Sequence, residues 1–369
     1  MGFDGRWYND SGVGSYIAGL LPALAHLQNL ELVVYEDPAS PVPTLTGASI
    51  RRVPLSARKY SAAEQLQLAR RCELDRLDLL HGPFYVIPFA AGCPVVVTIH
   101  DLIPFLYPIY GWGKTAIVRQ AYRMTTRKAA HVIADSEATA HEIRQTLGVD
   151  AERISVVHLA AAECYRSTSD PEEERILKER FGIRTPYVVA ASAANWKTKN
   201  LESALQSVEI AGQRCGVQFQ TVVYGPPHGI KAAGGEERWA SLNLICTGYV
   251  IDADLARIFR HATAFILSSL YEGFGLPVLE AMSCGCPVVT SNGGALAEVA
   301  GSGAQAFDPA DVNGMAAALR SLLADPEKLV QWRAAALTRA RDFSWQKTAC
   351  ETMSVYHRTL NGALPQSGI

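Results

Sequence analysis

No window of the 369 residues approaches ~18 uninterrupted apolar residues, so no membrane-spanning helix is expected. An excess of charge of either sign is also missing. The formal balance of -2 excludes a nucleic-acid binder that neutralises many phosphates. The eight cysteines are scattered, with only Cys284 and Cys286 close together, which excludes both a zinc cluster and a disulfide framework and fits a reducing compartment. The opening MGFDGRWYNDSG has neither a basic start nor a continuous apolar stretch, so the expectation is a cytoplasmic protein. Peripheral attachment at the inner face of the cytoplasmic membrane stays open. There is no internal repeat, no low-complexity tract, and no pattern that specifies an oligomeric state.

What is present is ordinary globular sequence, 49% hydrophobic and 19% charged, long enough for about two domains because single cores stop growing near ~250 residues. Short apolar runs at 30–35, 77–80, 94–99, 132–134 and 154–157 suit central parallel strands, and helical spacing separates them at 16–27, 62–72, 115–128 and 138–147. A polar, acidic stretch at 163–185 breaks the pattern and reads as a linker followed by a short helix. The pattern then restarts, with strands expected at 187–191, 219–223, 242–246, 264–267 and 287–290. The fold class is therefore α/β, two doubly wound domains, with ligands expected at the carboxyl ends of the strands in the cleft between them.

The richest segment is 268–285, SSLYEGFGLPVLEAMSCG. A buried strand feeds a glycine loop that opens a helix, so the amides of Gly273, Phe274 and Gly275 can meet a phosphate or a sugar hydroxyl. Glu272 stands in the loop and Glu280 on the first turns of the helix. The plain alternative is a helix cap followed by two surface acids. Glu272 and Glu280 reproduce the Glu-x7-Glu signature of the retaining family 4 glycosyltransferases, and EGFGLPVLEAMSCGCPVV is similar to that family almost position by position.

Other segments carry the resemblance further. Ser11-Gly12-Val13-Gly14 resembles the family's glycine loop that closes over the donor diphosphate, with Ser11 in place of the usual first glycine. A dinucleotide fingerprint would need glycine where Ile17 stands and a strand directly before Gly12. His100-Asp101-Leu102-Ile103-Pro104 resembles the His-Asp-Leu-x-Pro segment of the family's bacterial mannosyl- and rhamnosyltransferases, whose histidine touches the donor sugar; Asp101 would tie down the loop. Lys199-Asn200-Leu201 matches the family's Lys-Asn-Leu, and a lysine beside a helix N-terminus, which opposes the dipole, makes sense if a diphosphate lies between them. Many members have an upstream arginine sharing that diphosphate; this chain has Ala193, Ala194 and Thr198 at the candidate positions, and Lys197 is the nearby replacement. Ser136 and Asn292 follow strands and are either donor contacts or helix caps. Asp252-Ala253-Asp254 looks formally like a metal-binding Asp-x-Asp, but helical spacing follows it, so Asp252 reads as an N-cap and Asp254 as a first-turn acid. Lys114, Arg119, Arg123, Arg127 and Lys128 lie in a stretch without acids, and three of them recur every four residues; this is either a solvated face or a contact for anionic lipid headgroups.

The resemblance implies a GT-B architecture: residues 1–165 on the acceptor side, residues 166–343 holding the nucleotide sugar, and a final helix in 344–369 crossing back to the first domain. It implies a retaining, metal-independent transfer of a hexose from a nucleotide sugar to a hydroxyl of a glycan or lipid-linked glycan, in polysaccharide biosynthesis, with no cofactor. Lys199, Lys197, Gly12 and Gly14 would hold the diphosphate, Glu272 and His100 the sugar, and Glu280 the ribose. The His-Asp-Leu-x-Pro segment points first to GDP-mannose, with dTDP-rhamnose and UDP-sugars behind it. A sugar-nucleotide epimerase, a phosphorylase and a non-catalytic sugar-nucleotide scaffold are the alternatives on the same fold.

Overall fold

A computed structural model describes residues 1–28, 30–47, 49–193, 196–216 and 219–363, with backbone alone at Ser11, Trp196, Lys197 and Ala363. The chain forms two compact units, Met1–Ala160 joined by the terminal helix Trp345–Ala363, and Ala161–Phe343. Each unit is built on one sheet whose strand pairs are all parallel.

The first sheet contains β1 (Gly2–Asp4), β2 (Leu32–Glu36), β3 (Ile50–Pro54), β4 (Leu80–Gly82), β5 (Val95–Ile99), β6 (His131–Ala134) and β7 (Ile154–Val156), in the order β3-β2-β1-β4-β5-β6-β7. Helices cover both faces of such a sheet, so β5 and β6 are buried at every position and read as uninterrupted apolar runs. Two strands of this sheet escape the sequence pattern. β1 is three residues long, and β3, reading IRRVP, exposes both arginines as an edge strand does. The terminal helix docks on this unit: the Thr348 hydroxyl donates to the His158 carbonyl at 2.7 Å, the buried His81 ring meets the Tyr356 hydroxyl at 2.5 Å, and the absence of a side chain at Gly19 admits the Trp345 ring.

The second sheet contains β8 (Tyr187–Ala191), β9 (Gln220–Tyr224), β10 (Leu244–Gly248), β11 (Ala264–Leu267), β12 (Val288–Ser291) and β13 (Gln305–Phe307), in the order β10-β9-β8-β11-β12-β13. Its centre, β8 and β11, is wholly buried, with Val188, Phe265 and Ile266 at 0% exposure. Each such aliphatic side chain contributes roughly 1.5–3 kcal/mol through removal from water, and Ile266→Ala would cost about 2–5 kcal/mol once the cavity is included. In both sheets the chain lays strands outward to one side and then returns to the other, so β1/β4 and β8/β11 are the switch points where a wound sheet leaves a crevice beyond its carboxyl ends.

Candidate active site

The β8/β11 switch point gathers the residues the sequence singles out in the second unit. After β8 comes the short helix Trp196–Lys199, and after β11 the loop carrying Glu272. Lys199 Nζ lies 2.6 Å from Glu272 Oε1, and the Ser269 hydroxyl donates to the same oxygen at 2.6 Å. Both partners of this ion pair retain about one-seventh of their side-chain surface, 16% for Lys199 and 14% for Glu272, so the pair is shielded yet reachable. The side chain of Lys197 lies outside the described residues, as do Ala194 and Asn195.

Asn200 is what holds Lys199 against Glu272. Its backbone is left-handed, φ 49°, which asparagine tolerates better than most residues. Its amide donates to the carbonyls of Ser268 and Pro309 at 3.1 and 3.2 Å, and its own carbonyl accepts from the Ser268 hydroxyl at 2.6 Å. The amide of Leu270 reaches the Thr198 carbonyl at 2.7 Å, so the two loops are sewn together beside the Lys199–Glu272 pair. Ser268, Ser269 and the structural work of Asn200 are not expected from the sequence; the signal was the pair of serines directly after an apolar strand.

The helix Leu276–Ser283 begins as its sequence dictates. Gly275 occupies the N-cap at φ 100°, where a Cβ would also come within 2.6 Å of Leu296 Cδ2, and Pro277 fills the first turn, where it loses no intrahelical bond. Val278, Leu279, Ala281 and Met282 are buried, leaving Glu280 on the open side. Burial first, and then the charge of Asp252, push the Glu280 carboxyl up to about 8, against a pull downward from Lys199. The side chain keeps partial solvent contact but is enclosed by protein on most sides. The Phe274 ring is buried against Phe343, with centroids 5.9 Å apart, so a ligand can meet this residue only through its backbone. Asn292 is exposed at the end of β12, its amide donating to the Phe307 carbonyl at 2.7 Å.

Asp252 does not cap its helix. Ile251 occupies the N-cap of Asp252–His261, and Asp252, one residue further on, accepts from the Tyr165 hydroxyl at 3.1 Å. The capping expectation is corrected for that reason: the turn closes one residue earlier than the aspartate. Asp254 is buried and engaged by Arg180 at 2.9 Å and Arg257 at 2.5 Å, so its carboxylate is already satisfied by guanidinium groups. Among the described residues, no cluster of three histidine, cysteine, aspartate or glutamate side chains is placed to hold a metal ion.

In the first unit, Gly12 and Gly14 sit in the first turn of the helix Ser11–Ala25. A Cβ on Gly14 would come within 2.1 Å of the Tyr8 carbonyl oxygen, so the fold itself demands that glycine; one on Gly12 would meet nothing within 4 Å. Gly12 is the position with no internal reason to be glycine. His100 has both ring nitrogens engaged, Nδ1 with Asp135 Oδ2 at 2.7 Å and Nε2 with the Pro83 carbonyl at 2.9 Å. Burial pulls its pKa down, but the charge and hydrogen bond of Asp135, with the Pro83 carbonyl, more than reverse that and favour the doubly protonated ring. A sugar contact would have to replace the Pro83 bond. Asp135, the residue that fixes the ring, is not singled out by the sequence; its signal was its place directly after the apolar 132–134. Ser136 is fully buried and caps the helix Glu137–Glu142, its hydroxyl accepting from the Thr139 amide at 3.0 Å.

The outer face of the helix Trp112–Lys128 is basic and apolar together. Trp112 is 90% and Ile117 72% exposed, beside Lys114, Arg123, Arg127 and Lys128. Arg119 turns inward to the carbonyls of Pro104 and Phe105 at 2.9 and 3.1 Å. Among the described residues no helix is long and apolar enough to cross a membrane.

Residues 11–160 match the Glycosyltransferase Family 4 model, and residues 173–339 match Glycosyl transferases group 1. The O-antigen chain mannosyltransferase B of Escherichia coli is 28% identical over 321 residues, covering 84% of this chain and 82% of that protein. The MMP alpha-(1->4)-mannosyltransferase of Mycolicibacterium hassiacum is 28% identical over 283 residues, covering 73% and 66%. The crystal structure of Anabaena HepE in complex with UDP and glucose superposes with a TM-score of 0.74 at 18% identity, over 96% of this chain and 98% of that one.

Proposed function

The chain belongs to the family 4 glycosyltransferases and has their GT-B fold, and from that premise we propose that it is a retaining, metal-independent hexosyltransferase using a nucleotide sugar, GDP-mannose first. The observation that carries the reading is the Lys199–Glu272 pair, 2.6 Å apart at the carboxyl edge of β8 and β11 with the N-terminus of Leu276–Ser283 beside it. A cation and a carboxylate that hold each other are positioned to take opposite parts of one donor. Lys199 transfers to the diphosphate as the bond from the anomeric carbon to the leaving oxygen breaks, and Glu272, released, accepts from a sugar hydroxyl. Charge develops on the leaving diphosphate, and the Lys199 ammonium with the Gly273 to Gly275 amides stabilises it. The acceptor hydroxyl adds to the anomeric carbon, and its proton goes to the departing diphosphate oxygen.

Glu280 receives the ribose hydroxyls in its ionised form. Lys197, Gly12 and Gly14 complete the phosphate contacts, His100 and Asn292 belong to the donor's surroundings, and Ser136 acts by fixing its loop. The acceptor is a hydroxyl of a glycan or lipid-linked glycan of a surface polysaccharide. The protein is cytoplasmic, and the basic and apolar face of Trp112–Lys128 brings it to anionic lipid headgroups. Saturation binding against GDP-mannose, dTDP-rhamnose and UDP-sugars, followed by anomeric analysis of the product, tests the proposal. GDP-mannose should bind tightest and yield the α-glycoside. An inverted anomer, a requirement for divalent metal, or an epimerised donor in the absence of acceptor would overturn it.

A further inference from the structure

Thr98 is the one polar residue of β5, and it faces a histidine. Its hydroxyl lies 2.8 Å from His81 Nε2 on β4 and 2.9 Å from the Tyr16 hydroxyl on the helix Ser11–Ala25. His81 Nδ1 lies 2.5 Å from the Tyr356 hydroxyl of the terminal helix, so side chains from two strands and two helices form one hydrogen-bonded chain. Tyr16, His81 and Thr98 are at 0% exposure, and Tyr356 is buried with them. At its other end the chain meets His100, whose ring centroid is 4.9 Å from that of Tyr16 at 72°.

The hydrogens of this chain can be counted. Burial, with the charge of His100 nearby, pulls the His81 pKa down to about 3, so its ring is neutral and carries a single N–H. Thr98 and Tyr356 therefore take opposite roles towards that ring, one accepting where the other donates. Stability alone does not ask for this, because apolar groups of the same shape would serve a buried core about as well as a hydrogen-bonded set. What a satisfied polar chain adds is one fixed arrangement.

That arrangement ends on a side chain within reach of solvent. His100 is 16% exposed, while the Asp135 bonded to its Nδ1 is 2%. The ring can hold both Asp135 and the Pro83 carbonyl only in one orientation, and the Tyr16 ring, pinned at its hydroxyl and packed on Trp345 at 6.3 Å, is the wall it rests against. The ionisable groups around His100 are Asp135 after β6, the adjoining Asp101, His81 on β4 and Tyr16; of these Asp135 does most to favour the imidazolium. We propose that Tyr16 is a positioning residue for His100, held by the Thr98–His81–Tyr356 chain, so that the terminal helix helps to set the ring which the reading above puts beside the donor sugar. Only the kinetic consequence rests on that reading.

The test follows the His100 ring by heteronuclear NMR in histidine-labelled protein, its signals assigned by their loss in His100→Gln. Tyr16→Phe keeps the ring and removes the hydroxyl, and Thr98→Val removes that hydroxyl's partner. Either change should loosen His100 from Asp135, so its titration midpoint should fall and its Nδ1 proton signal should move upfield. His131, bonded to Ser155 outside the chain, is the control and should not move. The double variant should match Thr98→Val, because both changes release the same tether. Turnover with GDP-mannose should drop about tenfold in each variant with the donor KM within about twofold, the mark of lost orientation. An unchanged His100 midpoint in both single variants, or effects that add in the double variant, would overturn the proposal. Loss of the whole histidine spectrum in both, His131 included, would overturn it too, since the chain would then serve the fold alone. If wild type transfers no sugar while His100 responds to Tyr16→Phe, the transferase reading fails and the positioning stands.

Discussion

Replacing Glu280 by glutamine should separate what the carboxyl does for the fold from what it does for the donor. Burial, reinforced by Asp252, disfavours the charge and pushes its pKa up to about 8 from an ordinary 4.5. The folded state therefore binds more protons than the unfolded state between those values, and stability must fall as pH rises through that window. Transferred whole to folding, the displacement amounts to roughly 4–5 kcal/mol, and partial solvent access reduces this to about 1–3 kcal/mol. Glu280→Gln carries no such penalty. Near pH 4.5 the two proteins should melt together; above pH 8 the variant should be more stable, by about 2–4 °C for each kcal/mol in a unit of this size. Donor binding should run the other way. Wild type should gain affinity with rising pH and release a proton on binding, measurable by calorimetry in two buffers, while Glu280→Gln binds weakly and without pH dependence. Parallel melting curves from pH 5 to 9 would show that the carboxyl is not held neutral, and the reasoning about its burial would be wrong.

Lys199→Ala should lose roughly 3 kcal/mol or more of transition-state stabilisation, the scale of one preorganised charge-stabilising donor, while chelator leaves the wild-type rate nearly unchanged; an active Lys199→Ala protein restored by manganese after chelation would refute this. Gly12→Ala should fold with stability within about 0.5 kcal/mol of wild type yet bind donor more weakly, whereas Gly14→Ala, forced against the Tyr8 carbonyl, should lose about 1–3 kcal/mol of stability; the reverse ranking in a denaturant titration would contradict the packing argument. Vesicles containing anionic lipid should retain the protein at low salt and release it above 0.1 M, where the Debye length is ~10 Å, and Trp112→Ala should reduce retention. Equal recovery from neutral and anionic vesicles would remove the membrane role.

Strands buried on both faces were plain in the sequence because they must be apolar throughout. β8 and β11 lie where the runs at 187–191 and 264–267 place them. β1, β3 and β13 were not: GFD and QAF each hold too few apolar residues to stand out as a run, and an edge strand such as IRRVP keeps polar side chains outward. The site divides in the same way. Glu272, Glu280 and Lys199 stand in local phrases that show in one dimension, and the structure places Lys199 on Glu272 across 73 residues. Asp135 acts through His100, 35 residues away, which only the sheet brings near, and Ser269 through Glu272 three residues on; the place of each directly after an apolar strand was the one local signal. Asp252 was misplaced by one residue because helical spacing fixes the face of a helix better than its first turn.

The Lys199–Glu272 contact also bears on which anions the protein ignores. Inorganic phosphate can draw the lysine away only by leaving Glu272 beside it without a counter-charge, two negative groups sharing one ammonium. A nucleotide sugar brings a hydroxyl for the glutamate along with phosphates for the lysine, so both groups exchange partners and neither is stranded. If Lys199 and Glu272 take the donor roles proposed above, the ion pair acts as a selectivity filter against simple phosphates. Wild-type turnover should be weakly sensitive to added phosphate, and Glu272→Gln, with its lysine unguarded, should bind phosphate more tightly in a calorimetric titration; equal affinity in the two proteins would show that the contact plays no part in the choice.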